Sequence, residues 1–225
     1  MNFNGNFNRL GFVDTKIIKE LVLSLTEDEW GSSDWRQKEY EAHKHTQTIS
    51  LIFDKDFRHQ NPTKHPMYKR FKSALKPIKK IISKAYQSDY QMELYAKYGK
   101  GFVVRANLVR LLPNGNIPSH YDRNFTLSHG HRIHLPIITN KGVLFTVNDE
   151  VVNIKEGELT EINNKQYHHV INNGNEIRTH LIIDWVIPNE MCCCGKKWHP
   201  NTPCSPEVCK SVDYAAAANV CSCFK

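Results

Sequence analysis

His131 to Gly157 reads HRIHLPIITNKGVLFTVNDEVVNIKEG. Three short runs of β-forming residues, HRIHLPIIT, VLFTV and EVVNI, are separated by NKG, ND and KEG. Runs of this length with Asn, Asp and Gly between them predict antiparallel strands joined by tight turns. The same texture extends outward. Upstream, FVVRANLVRLL (102–112) ends at Pro113-Asn114-Gly115-Asn116; downstream come HHVI (168–171), NNGN (172–175) and IRTHLIIDWVI (177–187). The stretch from Gly99 to Ile187 therefore predicts an antiparallel sandwich or barrel.

Further out, the pattern changes. On the N-terminal side, Ile17, Ile18, Leu21, Val22 and Leu25 recur at helical spacing after Asp14, a candidate cap, and predict an amphipathic helix that opens the domain. Thr46–Phe53 (TQTISLIF) reads as a strand. A second helix is expected from Pro66 into the 80s, with Phe71, Leu75, Ile78, Ile82 and Tyr86 as its inward stripe and Pro77 kinking or dividing it. Its Lys69, Lys72, Lys76, Lys80 and Lys84 suit the solvated face opposite that stripe. The expected organisation is a mainly β domain over 1–188, with a helical part (about 1–98) and a β core (about 99–188), followed by a tail over 189–225.

Composition agrees. The 225 residues carry 30 Lys+Arg against 23 Asp+Glu, a net charge of +7, with 40% apolar and 24% charged residues. That is a globular composition with mixed surface charge, which gives little support to nucleic-acid binding. No secretory leader pattern and no run of about 18 apolar residues is present, so a soluble, cytoplasmic protein is expected. All seven cysteines lie between Cys192 and Cys223, so residues 1–191 must hold together by packing without disulfides.

The chemistry-bearing constellation begins at His120-Tyr121-Asp122. Residues two apart in an extended segment share a face, so this His and Asp can reach one metal ion. A third ligand is available in His168, 46 residues after Asp122. His169 is its rival, but adjacent residues face opposite ways and only one can point at the ion. Two histidines and a carboxylate on a β scaffold are the facial set that binds non-heme Fe(II) with three positions open. Arg178 follows ten residues after His168 and suits the far carboxylate of a dicarboxylate co-substrate such as 2-oxoglutarate. Arg132 with His134, and Arg178 with His180, each share one face of a strand whose alternate positions are apolar. Arg and His seldom point inward without a partner, so a polar cavity is expected. Arg105 and Asn107 point inward by the same parity and are candidate substrate ligands; His129 and His131 read as loop residues facing solvent or a lid.

RANLVRLLPNGNIPSHYD, HRIHLPI, GELTEINNKQYHHVINN and IRTHLIIDW together resemble the aspartyl/asparaginyl β-hydroxylase family, which includes cis-proline hydroxylases acting on the free amino acid. The resemblance covers roughly residues 8–188, including Trp35-Arg36-Gln37, Tyr40, His45 and Thr46. It implies a double-stranded β-helix (jelly-roll, cupin-like) dioxygenase that uses Fe(II), 2-oxoglutarate and O2. By that resemblance His120, Asp122 and His168 are the iron ligands, with His168 favoured over His169; Arg178 binds the co-substrate's far carboxylate, and Arg132 and His134 help hold it. The animal β-hydroxylase lacks the carboxylate ligand that Asp122 supplies here. The implied substrate is a free amino acid, or an Asp, Asn or Pro residue in a protein, in a pocket that the N-terminal half and His45 would shape.

The tail lies outside this resemblance. Cys194, His199, Cys204 and Cys209 are a candidate zinc set, although their spacing fits no standard pair of knuckles; free or redox-active thiols, disulfides and acylation are the alternatives. A different class of function is a catalytically silent jelly-roll binding module whose tail contacts nucleic acid or protein.

Overall fold

The computed structural model describes residues 5–32, 44–55, 59, 61–122, 125–128 and 130–190. Two antiparallel sheets face each other in a jelly-roll. The larger has seven strands in the order β1 (Phe7–Phe12), β9 (Glu158–Ile162), β6 (His131–Ile138), β11 (Arg178–Val186), β4 (Phe102–Leu111), β2 (Thr46–Asp54) and β3 (Pro62–Lys64). The smaller has β5 (Asn116–His120), β10 (His168–Asn172), β7 (Val143–Val147) and β8 (Glu150–Val152). Consecutive strands alternate between the sheets, as β4 to β5 to β6 to β7, and so close the double-stranded β-helix.

Five helices accompany the strands among the described residues: α1 (Lys16–Leu23), α2 (Glu27–Gly31), α3 (Tyr68–Ala85), α4 (Asp89–Tyr98) and α5 (Phe125–Ser128). The start of α1 is held by Asp14, whose Oδ1 accepts the Lys16 N–H at 2.9 Å. Ile17, expected on its inward face, is exposed; Ile18 and Val22 are the buried pair. α3 is one helix of 18 residues that runs through Pro77, neither divided nor ended there. Pro77 costs α3 one backbone hydrogen bond, while Phe71, Leu75, Ile78 and Ile82, each at most 1% exposed, anchor it to the sheet. Burying each such side chain contributes about 1.5–3 kcal/mol. α2 and α4 begin with reciprocal capping boxes, Thr26 with Glu29 and Ser88 with Gln91.

The N-terminal part is less helical than expected. The domain opens on a strand: β1 pairs with β9, and β2 pairs with β4 along Thr46–Ile52. Three strands of the first 98 residues thus belong to the large sheet, which has no seam at residue 98. The main apolar cluster lies between this sheet and α1, α3 and α4; a second, around Leu111, Val143, Phe145, Val147, Ile162 and Val170, lies between the two sheets. No described helix is long and apolar enough to cross a membrane.

Candidate active site

Directly paired residues in an antiparallel ladder put their side chains on one face. The register of β11 against β4 pairs Arg178 with Leu111, His180 with Val109, Ile182 with Asn107 and Asp184 with Arg105; against β6 it pairs Ile182 with His134 and Asp184 with Arg132. One face of the large sheet therefore carries Arg105, Asn107, Arg132, His134, Arg178, His180 and Asp184, and it looks toward the small sheet. The other carries Ala106, Leu108, Ile133, Leu135, Leu181 and Ile183, packed beneath the helices.

His120 and His168 are directly opposed on β5 and β10, their rings 4.3 Å apart, and Asp122 follows at the end of β5. One potential ligand atom from each of the three lies within 4.8 Å of the others. The Nδ1 of His120 is 2.8 Å from the Pro118 carbonyl and that of His168 is 2.9 Å from the Gln166 carbonyl. A carbonyl only accepts, so each Nδ1 carries the proton and each Nε2 keeps its lone pair for a metal. Burial drives the His168 pKa down to about 4, with the Asp122 carboxylate opposing and His120 reinforcing, so the ring is in its neutral, ligating form at pH 7. Burial acts to raise Asp122, but the positive charge of Arg132, then His168 and His120, and an Asn164 hydrogen bond bring it down to about 2. Its Oδ2 accepts from Arg132 Nη1 and Asn164 Nδ2, both at 2.9 Å, while its backbone N–H donates to the Asn164 carbonyl at 3.0 Å. The three side chains fit a divalent transition metal: two imidazoles that turn Nε2 to the ion and one ionised carboxylate, each oriented by a second partner.

Arg132 also forks onto Asp184, Nε to Oδ1 at 2.9 Å and Nη2 to Oδ2 at 3.0 Å. Three of its five N–H bonds thus go to the two carboxylates. Deeper in the barrel, His180 Nδ1 lies 2.6 Å from Arg178 Nη2 and 3.4 Å from His134 Nδ1. The His134 ring meets Phe145 edge-on at 5.0 Å, and Phe145 stacks on His168 at 6.3 Å. A continuous row, Arg178, His180, His134, Phe145, His168, His120, therefore joins the buried guanidinium to the metal-ligand set. Arg178 is 1% exposed and burial lowers its pKa to about 9, yet Nε and Nη1 have no hydrogen-bond partner. Such a cation is costly unless an anion joins it.

His169 is only half-buried and stands opposite Thr146 on β7, one residue out of phase with His168. Arg105 and Asn107 are buried on the cavity face, the Arg105 guanidinium 4.8 Å from the centre of the Phe53 ring. His45 is at the other end of β5 from His120, where its Nδ1 is 3.0 Å from Asn116 Oδ1. His131 is not a loop residue: it opens β6, is buried on the helix-covered face, and sits between Glu161 Oε1 at 2.7 Å and Glu190 Oε2 at 2.8 Å. Ser and Gly before it suggested a loop, but the strand begins at once and two carboxylates satisfy the ring. The strand pattern places His180 on the cavity side without giving it a role, and it does not single out Asp184 or Asn164. Asp184 and His180 share the strand parity of Arg178, which is a readable signal; Asn164 lies beyond β9 and offers none. His129, Trp35, Arg36, Gln37, Tyr40 and the tail set Cys194, His199, Cys204 and Cys209 fall outside the described residues.

Residues 83–188, which hold His120, Asp122 and His168 and the polar groups of β4, β6 and β11, match the family model for aspartyl/asparaginyl beta-hydroxylase. Over that stretch, a little under half of its length, the chain is similar to that family. Similar solved structures include a 2OG-Fe(II) oxygenase family oxidoreductase from Burkholderia pseudomallei, 13% identical, with 63% of this chain and 66% of that one covered and a TM-score of 0.49. A viral collagen prolyl hydroxylase from Paramecium bursaria Chlorella virus-1 is 8% identical over 81% of this chain and 96% of its own, with a TM-score of 0.46. A prolyl-4-hydroxylase from Pseudomonas putida is 10% identical over 81% and 93%, with a TM-score of 0.45. No curated protein matches the sequence.

Proposed function

We propose that the chain is an Fe(II)- and 2-oxoglutarate-dependent dioxygenase that hydroxylates an unactivated C–H bond of an amino acid, or of an Asp, Asn or Pro residue in a protein. The observation that carries this reading is the polar interior between the two sheets, where a His-Asp-His set and a buried, incompletely partnered arginine lie in one row of side chains. His120, Asp122 and His168 would hold Fe(II). When bound together, iron and 2-oxoglutarate supply the oxidising chemistry, with O2 consumed and succinate and CO2 released.

The protein's own contribution is orientation and exclusion of water. Asn164 and Arg132 fix the Asp122 carboxylate, and Asp184 fixes Arg132 in turn. Arg178 would grip the co-substrate's far carboxylate, while His134 and the two uncommitted N–H bonds of Arg132 line its path to the metal. Phe145, Val147 and Val170 provide dry walls on the small sheet. Arg105 and Asn107 would meet the substrate from β4. The test is succinate release with Fe(II) and 2-oxoglutarate, followed by a mass-spectrometric search for a product 16 Da heavier (one oxygen atom) among free amino acids and then peptides. Turnover is expected in the wild type and lost in His168→Ala; equal succinate release from both would overturn the assignment.

For the tail, Cys194, His199, Cys204 and Cys209 would form a separate zinc site. Metal analysis before and after removal of residues 191–225 tests this, because a structural zinc must leave with the tail.

A further inference from the structure

Arg178 has five N–H bonds and can accept none. At 2.6 Å from Arg178 Nη2, His180 Nδ1 must therefore be the acceptor, which places the His180 proton on Nε2. His180 is 1% exposed, and its Nε2 has no partner. The same is true of His134 Nε2, 5% exposed as a residue, and of Arg178 Nε and Nη1. Arg178 Nε and Nη1 and His180 Nε2 are thus three buried donors, from two neighbouring side chains, with nothing to donate to; His134 Nδ1, 3.4 Å from the His180 Nδ1 lone pair, carries its proton there, which leaves His134 Nε2 an acceptor. Leaving the donors so is costly, most of all for the cation. A single carboxylate has about four lone-pair sites and one negative charge, which suits this set.

We propose that His180 is a binding and positioning residue for the co-substrate: its Nδ1 aims the Arg178 guanidinium, and its Nε2–H donates to the same far carboxylate. The inference rests on the reading of the cavity as a 2-oxoglutarate site and extends it to a residue outside the iron ligands and the two arginines. His180 acts only as a neutral ring. A protonated His180 would set a second cation against Arg178 and lose the lone pair that orients it.

The test compares two keto acids on Mn(II)-loaded full-length protein without turnover. 2-Oxoglutarate has a far carboxylate; 2-oxobutyrate has the same metal-binding end and lacks it. Wild type is expected to prefer 2-oxoglutarate, and His180→Phe, which keeps ring volume but offers no acceptor, to weaken it at least tenfold while changing 2-oxobutyrate less than twofold. His180→Asn, whose amide oxygen can accept from Arg178, is expected to recover part of the loss. Unchanged 2-oxoglutarate affinity in His180→Phe overturns the role of His180, as does an equal loss for both keto acids. A wild type that holds both equally well overturns instead the reading of Arg178 on which this one rests.

Discussion

The two faces of the large sheet are equally dry and chemically opposite. Along β11, Leu181 and Ile183 point to the helices and Arg178, His180 and Asp184 to the small sheet, all of them at most 1% exposed. Polar groups occur on both sides, but their partners differ. On the helix-covered face His131 is closed off by Glu161 and Glu190, Glu161 also accepts the Tyr86 hydroxyl at 2.9 Å, and the His131 ring lies 4.2 Å from that of Tyr86. On the cavity face Arg178, His180, His134 and Asn107 retain buried polar atoms without partners. The His131 network needs no further partner, whereas a bound anion would satisfy the unpartnered donors of Arg178 and His180.

The comparison can be broken from either side. Phe71→Ala on α3 removes a fully buried ring from beneath the helix-covered face and is expected to cost about 3–5 kcal/mol in denaturant unfolding. Its effect on 2-oxoglutarate affinity should be under twofold. Glu161→Ala is expected to cost about 3 kcal/mol, because it strands His131 and the Tyr86 hydroxyl among buried groups; a loss below about 0.5 kcal/mol would show that the clamp is not structural.

On the cavity face the sign should invert. Arg178→Met removes a buried cation whose Nε and Nη1 are unpartnered, so the free protein should be as stable as wild type or about 1 kcal/mol more so, while 2-oxoglutarate affinity falls about 100-fold. A large loss of stability in Arg178→Met would place Arg178 among the structural residues.

The smallest expected effect is a pH dependence. Burial tends to lower the His131 pKa, but Glu190 and Glu161 raise it above its usual value; burial tends to raise both carboxyls, but His131 leads the groups that hold them low. Stability from a raised histidine is fully present below about pH 6.5 and is lost as pH rises through the folded pKa; stability from lowered carboxyls is present above about pH 4.3 and is lost as pH falls through theirs. The clamp should thus contribute most between about pH 4.3 and 6.5. His131→Gln should flatten the stability profile on the alkaline side of that window.

The readability of each feature follows from the same contrast. His120, Asp122, His168 and Arg178 could be read because alternation on well-punctuated strands fixes which residues share a face. β9 was not read as a strand, since Glu161 occupies a position that looks exposed by residue type and is buried by its partners. β1 was missed because FNRLGF is a short edge strand with no alternation, stabilised by its pairing with β9. His131 was misplaced for a similar reason: its burial depends on Glu190, 59 residues later. Long-range satisfaction of charge leaves no local pattern in a sequence, whereas strand parity does.

Opposite the cavity face, His120 and His168 on the small sheet, with Asp122 just beyond β5, would hold a divalent metal. Mn(II) tests it directly, since it favours oxygen and imidazole ligands over the thiolates of the tail. Equilibrium titration followed by electron paramagnetic resonance is expected to show one Mn(II) per wild-type chain and at least 100-fold weaker binding in Asp122→Ala. Equal binding in the two proteins would contradict the account.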